Sequence, residues 1–547
     1  MAFCKRKHPV QHVLVLIIIL STVKASLGAP VLAPNLTLCH IPLSLPDEEE
    51  PFSCCAPDFG QPAKWFNLTA AAEAAAAGKI RVRRPAHAMS DEDVARLSKA
   101  YAAMRALPFG DPRNYDQQAN IHCAYCSACY QMGGSSTPLQ VHGSWLFFAF
   151  HRWYIYFHER ILAKLINDDT FYLPFWNYDH PDGMTVPRAY VDSSELRDDN
   201  REPACLPPAT VFTDFYYYNE SLRTHEEQMA ANLATIYRQV IAAPDTPYRF
   251  YGQPYREGDG PQPGYGTVET QPHNSLHGWT GNQVNILAKD MGALYAAARD
   301  PIFYIHHANI DRLWEVWMRL GRDDIDDPDY LDSEFVFYDE NAELVKVKVR
   351  DAYDIEKLGY VYEWVDNIWL NLSLVSLSNG VAANITSDTT LCKLGEPMLE
   401  TCSLLVSRNF SSNNGGQQTL VLGGIEGDLS SPSLFNVYIN LPSANVHTLP
   451  NCTEYVGRFS AMAQPLQAQV QNSSVLRSSA RFGISQNIKD LKLEGEENLV
   501  LTIVPSTHQP LLPVSIKSVW IEYELLPSAH RKINSKTADK WVVSSDL

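Results

Sequence analysis

The chain has 547 residues, of which 45% are hydrophobic and 19% are charged, and its formal net charge is -18. This length exceeds that of a single ordinary domain and favours a core of about 300 residues followed by a smaller domain. The acidic balance argues against nucleic acid and against an anionic membrane surface as partners.

The N-terminal residues are typical of a cleaved secretory signal over residues 1–28. Residues 5–7 are basic, residues 13–20 are apolar, and small residues follow. The apolar run is too short to span a bilayer, so we expect no transmembrane anchor. Eight glycosylation sequons also favour the secretory pathway; they begin at Asn35, Asn67, Asn219, Asn371, Asn384, Asn409, Asn451 and Asn472. Because no Ser-rich, Arg-rich transit peptide is visible, the expected location is vacuolar or extracellular and not the plastid.

Helix signals dominate from Asp91 to Trp317. An Ala-rich helix is expected before them, from Leu68 to Ala77, with Gly78 ending it. Ser90 precedes three acidic residues as a capped helix start. The stretch from Pro244 to Pro272 is rich in Gly, Pro and Tyr and is expected to be an irregular loop. The sequence thus predicts a mostly helical core with long connections.

The first block of histidines comprises His122, His142 and His151. His142 and His151 are nine residues apart, half a revolution out of phase, so one continuous helix cannot direct both imidazoles at one ion. We place His151 on a helix running roughly from Trp145 to Leu165 and His142 in the segment before it. His122 is expected in a cysteine-rich loop.

The second block has clearer helical spacing. His273 and His277 are four residues apart and are expected to share one helix face. A separate helix begins near Asp300, which is a suitable N-cap, and carries His306 and His307 near its second turn. Spacing alone does not decide between His306 and His307. Two facing helices would direct three imidazoles at one ion.

The missing ligand types indicate which metal is bound. Structural zinc usually takes cysteine-rich ligand sets, catalytic zinc often includes a carboxylate, and magnesium or calcium prefer oxygen. Two sites built only from neutral imidazoles favour copper, with two ions per chain. A two-zinc hydrolase is disfavoured because no bridging carboxylates accompany the histidines.

The C-terminal part has a different pattern. The segments TLVLGGI, LFNVYINL, NLVLTIVP and VSIKSVWIEYEL alternate apolar and polar residues between Gly, Pro and Asn breaks. This pattern predicts an all-β domain, a sandwich. The stretch SSNNGGQQ from Ser411 to Gln418 has the composition of a linker.

Four motifs resemble the coupled binuclear copper motifs of plant polyphenol oxidases, the tyrosinase and catechol oxidase family. They are IHCAYC, VHGSWLFFAFHRWYIYFHERIL, PHNSLHGWTG and DMGALYAAARDPIFYIHHANIDRLW. The resemblance extends over residues 35–525 and implies a helical dicopper domain followed by a C-terminal β domain. It also implies an enzyme that uses dioxygen to oxidise o-diphenols to o-quinones.

The resemblance assigns specific residues to the metal site. The implied copper ligands are His122, His142, His151, His273, His277 and His307. His306 would then line the pocket. His158 lies on the same helix face as His151, but the family usually has an aromatic residue there, so we do not expect it to be a ligand.

Covalent bonds are implied in the same way. The resemblance pairs Cys39 with Cys55 and Cys54 with Cys123, and it links Cys126 to His142 by a thioether. Without the resemblance, Cys126 is equally a buried thiol or part of a further disulfide. The family pattern assigns no partner to the others, which are Cys129, Cys205, Cys392, Cys402 and Cys452.

Three positions bear on substrate chemistry. Glu269 and Asn274 match the family pair that orients a water able to accept the proton of a monophenol. Their alternatives are a loop glutamate and a helix-capping asparagine. Leu294 stands where many plant members have a phenylalanine over the first copper, so a wider entrance is expected. Asp311 is either a support for the ligands or a solvated partner of Arg312.

The resemblance also suggests the domain boundaries. Tyr360-Val361-Tyr362 resembles the tyrosine motif that closes the catalytic domain, whereas LFNVYIN departs from the usual KFDV of the family. The expected parts are a catalytic domain over 29–365, a connecting segment and linker over 366–418, a shielding β domain over 419–527 and a tail over 528–547. We expect latency, relieved when a protease cuts the linker Ser411–Gln418.

Alternatives with the same metal centre stay open at this stage. A haemocyanin-like protein would bind dioxygen without oxidising phenols, although Glu269 and Asn274 favour the enzyme. The phenol is a simple catechol, a hydroxycinnamate, or a flavonoid or chalcone as in aurone synthesis.

Overall fold

A computed structural model describes residues 28–40, 53–77, 80–216, 223–281, 289–408, 416–506 and 511–524. Residues 1–27 of the predicted signal, the predicted tail from 528 and most of the predicted linker lie outside these residues. So do the sequons at Asn219 and Asn409. Among the described helices none is both long and apolar enough to cross a membrane.

Ten α-helices lie among the described residues up to 331. They are α1 Leu68–Ala76, α2 Asp91–Arg105, α3 Tyr115–Cys126, α4 Phe147–Leu165, α5 Ala189–Asp192, α6 His225–Tyr237, α7 Pro247–Tyr251, α8 Asn274–Thr280, α9 Ile302–Arg319 and α10 Pro328–Leu331. The predicted start of α2 is confirmed, because the Ser90 side chain accepts from the Asp93 N–H and the Asp93 carboxylate accepts from Ser90. At α9 the Asp300 carboxylate accepts from the Ile302 N–H at 2.9 Å, as the sequence predicts.

The core of this helical part is formed around α4 and α9, which pack against each other. Both helices are buried along most of their length and are rich in aromatic residues. Five short strands surround them: β1 Lys64–Trp65, β2 Arg81–Arg83, β3 Glu334–Tyr338, β4 Leu344–Lys348 and β5 Tyr360–Tyr362. They form a sheet of order β1-β4-β3 and a parallel pair β2-β5. The predicted mostly helical catalytic domain is confirmed.

The C-terminal part is a sandwich of two antiparallel sheets, also as predicted. Its elements are β6 Cys402–Ser407, β7 Gln417–Asp428, β8 Ser433–Ile439, β9 Tyr455–Ala461, α11 Pro465–Gln471, β10 Val475–Gly483, α12 Ser485–Asp490, β11 Asn498–Pro505 and β12 Ser515–Glu524. One sheet has the order β10-β7-β12 and the other β6-β11-β8-β9. Alternate side chains of the strands fill a separate apolar core between them.

The linker prediction was wrong about position. β6 pairs with β11 inside the sandwich and β7 pairs with β10 and β12. The stretch Ser411–Gln418 therefore lies between two strands of the β domain and does not join the two domains, and its last two residues begin β7. The polar, Gly-rich composition of this stretch carries no information about which sheet the flanking strands enter. The connection between domains runs instead through residues 372–401.

Two smaller expectations also differ from the structure. His122 lies on α3 and not in a loop, because Asn114 caps a helix that continues to Cys126. The stretch 244–272 contains the short helix α7, which begins at Pro247. Both segments have few apolar positions at helical spacing, so the sequence pattern did not indicate them.

Candidate metal centre

Three imidazoles and one thiol meet in the first cluster. The ligand atoms of His122, Cys126, His142 and His151 all lie within 4.8 Å of one another. His122 and Cys126 are one turn apart on α3, His151 is on the second turn of α4, and His142 is in the turn before α4. The turn resolves the half-revolution mismatch that the spacing predicts, because it lets His142 approach from outside the helix.

The second cluster contains four imidazoles. The ligand atoms of His273, His277, His306 and His307 also lie within 4.8 Å of one another. His277 is on α8, and His273 is the residue immediately before the first residue of α8. His307 faces the first cluster, because its ring lies 4.1 Å from that of His151. The His306 ring lies 5.7 Å from that of Tyr178.

Four of the rings are held by hydrogen bonds from Nδ1. His122 and His277 donate to the main-chain oxygens of Leu294 and Met291, at 2.8 and 2.7 Å. His151 donates to the Phe147 oxygen at 2.8 Å. His273 contacts the Asn274 Oδ1 at 2.8 Å. Since main-chain oxygens only accept, Nδ1 carries the proton and Nε2 is left as a lone-pair donor.

The exposed fraction of these histidines is at most 2%. Among the described atoms, the Nε2 atoms of His122, His151, His273 and His277 have no hydrogen-bond partner, and neither ring nitrogen of His142, His306 or His307 has one. So many unpaired buried nitrogens would be costly unless they bind something. The donor set fits two metal ions that accept neutral nitrogen ligands, and therefore fits copper.

Burial also fixes the charge of the site. Desolvation lowers the pKa of the His151 imidazole to about 3 and that of His277 to about 4. The pKa of each of the other five imidazoles is lowered well below its usual range for the same reason. The rings are neutral at physiological pH, so protons do not compete with a metal for them.

His158 lies outside both clusters. Its Nε2 is 3.2 Å from the hydroxyl of Tyr101, and its ring stacks on Tyr304 at 3.6 Å. It thus belongs to an aromatic layer behind the first cluster, in keeping with the expectation that it is no ligand.

The structure contains both disulfides that the resemblance implies. Cys39 is bonded to Cys55 and Cys54 to Cys123, which fastens the N-terminal arm to α3 next to His122. A third disulfide, Cys392–Cys402, lies at the start of the β domain and had no predicted partner. The Cys126 thiol is buried, and its sulfur lies in the first cluster close to His142.

Asp311 is a buried contact between α4 and α9. The alternative that it is a solvated partner of Arg312 is therefore wrong. Asp311 is 3% exposed and accepts from the hydroxyls of Tyr360 and Tyr362, at 2.8 and 2.5 Å. It also pairs with Arg152, the residue after His151, and lies 3.3 Å from Arg83. Arg312 instead pairs with Asp179.

Arg83 adds β2 to this network and a second contact to α4, because it pairs with Glu159 at 2.7 Å. The network therefore joins α4, α9, β2 and β5 through buried charges. Sequence spacing gave no indication of Arg83 or Glu159. A residue pair separated by more than seventy positions leaves no local signal.

The two residues matched to monophenol chemistry are both buried but are not in mutual contact among the hydrogen bonds described. The Glu269 Oε1 accepts from the Gly143 N–H at 2.8 Å, and burial raises the pKa of its carboxyl well above the usual range. The Asn274 Nδ2 donates to the main-chain oxygen of Ser460 in the β domain at 2.7 Å. Leu294 is 1% exposed, and its carbonyl orients His122.

Comparison with known proteins decides the family. The chain matches the common central domain of tyrosinase over residues 112–320, the polyphenol oxidase middle domain over 324–374 and the chloroplastic polyphenol oxidase C-terminal domain over 398–523. The chain belongs to the polyphenol oxidase family. It is a binuclear copper enzyme that oxidises o-diphenols, so the oxygen-carrier and two-zinc alternatives fall away.

Relatives of the oxidase cover nearly its whole length. Aureusidin synthase of Antirrhinum majus is 41% identical over 87% of this chain and 86% of its own length. A polyphenol oxidase of Malus domestica is 39% identical over 87% of this chain and 82% of its own. A solved structure of latent aurone synthase has a TM-score of 0.81 at 33% identity, covering 91% of this chain and all of that one.

The expected location was wrong. Relatives from Malus domestica, Vicia faba and Vitis vinifera are named chloroplastic polyphenol oxidases, which points to the plastid and contradicts a vacuolar or extracellular location. A short apolar run after basic residues indicates transfer across a membrane but does not identify the membrane. Sequons on exposed surface, such as those at Asn35 and Asn384, do not identify a compartment either.

Proposed function

We propose that His122, His142 and His151 hold one copper ion and that His273, His277 and His307 hold the other. The observation that carries this assignment is the convergence of buried, unpaired Nε2 atoms from α3, α4, α8 and α9 and from the segments that precede α4 and α8. When bound, the copper pair supplies dioxygen binding and electron transfer from the diphenol. His306 lines the pocket beside Tyr178.

The side chains around the pair orient the ligands and exclude water. The Nδ1 hydrogen bonds fix four ring orientations before any metal is present. Buried aromatic rings pack against the imidazole rings. The ring centroids of Phe147 and His151 are 4.7 Å apart, and those of Phe303 and His122 are also 4.7 Å apart. A phenol ring that enters this site contacts apolar side chains and the two histidine clusters.

We propose further that Cys126 is joined to His142 by a thioether. His142 needs such a restraint because neither of its ring nitrogens has a hydrogen-bond partner among the described atoms. Mass spectrometry of proteolytic peptides from copper-loaded enzyme tests this bond. Peptides carrying Cys126 and His142 that migrate separately would show that the bond is absent.

Ortho-hydroxylation of monophenols is proposed as a second activity of the same site. It requires a base near the entering phenol, and Glu269 is fixed by Gly143, next to His142. One of its carboxylate oxygens, Oε2, has no partner in the described structure and is available to a water. Asn274 is engaged by the β domain, so we expect it to assist only after this domain moves.

The oxidase is proposed to be latent because the β domain covers the site. The side chain of Leu466 is fully buried and belongs to the apolar core of the helical domain. Arg458 reaches across to the main-chain oxygens of Asp214 and Phe215. Latent forms among the solved relatives support this proposal.

We propose that the activating protease cuts within residues 372–390, in place of the site expected from the sequence at Ser411–Gln418. This segment connects the domains, and Val375, Leu377 and Val381 are 67%, 53% and 67% exposed. Exposed connections are preferred sites of cleavage. A cut between β6 and β7 would leave the sandwich closed over the site.

A second candidate substrate class is a flavonoid or chalcone phenol. The relative named aureusidin synthase and the structural match to aurone synthase favour this class. Leu294 replaces a bulkier residue of many plant members, which would leave more room at the entrance. Simple catechols remain the first candidate.

One experiment tests these proposals together. Copper-loaded enzyme is assayed before and after limited proteolysis against catechol, a monophenol and a chalcone, with the cut site mapped. We expect low activity in the intact chain and a large increase after cleavage within 372–390. Full activity of the intact chain, unchanged by cleavage there, would contradict the covering role. A Leu294→Phe variant that oxidises chalcone as fast as the parent would contradict the role of this entrance.

A further inference from the structure

We infer that the β domain is a structural part of the metal centre as well as its cover. The geometry points to two side-chain amides, one beside the turn that carries His142 and one beside the helical turn that carries His273, that couple the β domain to the copper ligands. Gln140 acts on the His142 side and Asn274 on the His273 side. This inference rests on the ligand assignment proposed above.

Gln140 lies between the first cluster and the β domain. Its Oε1 accepts from the main-chain N–H of His142 at 3.0 Å. Its Nε2 lies 2.7 Å from the carbonyl oxygen of Cys126, and 2.7 and 2.8 Å from the Oε1 atoms of Gln464 and Gln467. Because the His142 N–H only donates and the Cys126 oxygen only accepts, the orientation of the Gln140 amide is fixed by its partners.

This contact has unusual weight for His142. The other ligands of the first cluster, His122 and His151, are oriented through Nδ1, but the His142 ring has no such partner among the described atoms. Apart from the thioether proposed above, the position of His142 depends on the turn that carries it, and Gln140 holds that turn. Gln140 is completely buried, and Gln464 and Gln467 are 2% and 1% exposed, so water does not replace these partners.

Asn274 performs the same task at the second cluster. Its Nδ2 is 2.7 Å from the main-chain oxygen of Ser460 on β9. Since that oxygen only accepts, the amide must direct its NH2 group at Ser460 and its Oδ1 at His273. The His273 Nδ1 then donates to Oδ1, which leaves Nε2 as the metal-facing nitrogen. The docked strand β9 thus sets the tautomer of a copper ligand.

The consequence is that docking of the β domain restrains the His142 turn and the His273 segment at once. Release frees the Gln140 amide from two partners and lets the Asn274 amide rotate. The metal site of the uncovered enzyme should therefore differ from that of the covered enzyme in ligand geometry and copper affinity. A passive cover would change only the access of substrate.

The test removes the coupling while leaving the cover in place. The variant Gln464→Leu with Gln467→Leu keeps the Gln140 contacts to His142 and Cys126 but loses those to the β domain. The matched control is Thr419→Val with Ser506→Ala. It also removes two interdomain hydrogen bonds, to Arg249 and to the Tyr216 carbonyl, away from His142 and His273.

Three measurements are made on full-length, copper-loaded chains. Latency toward catechol shows that the cover is in place. Copper retained during dialysis against a chelator is measured by atomic absorption, and X-ray absorption at the copper edge reports ligand geometry. We expect the Gln464→Leu, Gln467→Leu chain to stay latent but to lose one copper roughly tenfold faster or more, the range usual for changes that act through a ligand's partner. Its absorption edge should shift toward that of the enzyme freed of its β domain.

Two results would overturn the inference. One is a Gln464→Leu, Gln467→Leu chain that matches the control in copper retention and edge. The other is an identical edge for the intact chain and the domain-free enzyme. Failure of the ligand assignment looks different: wild-type enzyme that holds fewer than two coppers, or His142→Ala and His273→Ala variants with unchanged copper content, would remove the assignment and this inference with it.

Discussion

The two domains of the oxidase use side chains in different ways. In the helical domain function depends on particular chemical groups, since each imidazole needs a neutral ring and four of them need a specific Nδ1 partner. In the β domain the strands depend on alternation, and several contacts to the helical domain are made by main-chain oxygens such as those of Ser460 and Val504. Residue identity is therefore tightly constrained around the metal site and loosely constrained along the strands of the β domain.

This difference explains the departure at LFNVYIN. β8 forms from Ser433 to Ile439 although the usual KFDV residues are absent. Every residue of the strand is buried, and its register with β9 and β11 is set by backbone pairing. Loss of the motif weakens recognition from sequence without weakening the strand.

The largest expected effect comes from removing a ligand. His277→Ala should abolish quinone formation and reduce copper toward one ion per chain, because the second site loses one of three ligands. Its fold should persist, since the buried charge network and the disulfides do not involve His277. Metal analysis together with circular dichroism checks both points. A variant that keeps two coppers and full activity would show that the ligand set is wrong.

A smaller but still large effect is expected from Asp311→Ala. It removes the acidic partner that Arg152 contacts most closely and one of the two acidic partners of Arg83, and breaking a buried ion pair typically costs about 3–5 kcal/mol. Chemical denaturation should show a lower free energy of unfolding, and copper affinity should fall because α4 and α9 are less firmly joined. Unchanged stability would mean that the network contributes little to the fold.

A substitution in the core of the β domain should lower the stability of that domain without lowering the turnover of the activated enzyme. Leu501 is completely buried in β11, and Leu501→Ala should cost about 2–5 kcal/mol of β-domain stability. Latency should weaken because the cover opens more often. After protease activation, catechol turnover should equal that of the parent enzyme. A reduced turnover of the activated form would show that Leu501→Ala damages the catalytic domain as well as the cover.

The smallest and most selective effect is expected from Glu269→Gln. Loss of a positioned base should reduce kcat/KM for a monophenol about a hundredfold, with a much smaller loss for a diphenol that ionises more readily. Parallel assays of activated enzyme with one substrate of each type provide the measurement. Equal losses on both substrates would rule out the assigned role.

Local signals predicted the elements that carry most of the site. The capping box at Ser90, the start of α9 at Asp300 and the amphipathic run of α4 are each encoded within a few residues, and the structure has them nearly where they were expected. The histidine spacing likewise indicated two clusters. These features could be predicted from the sequence because, in a helix, the separation of two residues determines whether their side chains share a face.

Features that depend on distant pairing were not accessible. No local pattern indicates that Gln140 contacts Gln464 and Gln467, or that Ser411–Gln418 lies between two strands of one sandwich. A glutamine has no preferred partner, and a polar loop looks alike inside a domain and between domains. Only the folded chain brings such residues together.

The buried charge network around Asp311 has a consequence for the order of assembly. It draws α4 and α9 together through Arg152, Arg83 and two tyrosine hydroxyls, and none of these groups is proposed to bind metal. The chain can therefore form both ligand sets before copper reaches it. Copper then enters a finished site, so uptake should be a simple binding reaction whose rate depends on copper supply and not on the rate of folding.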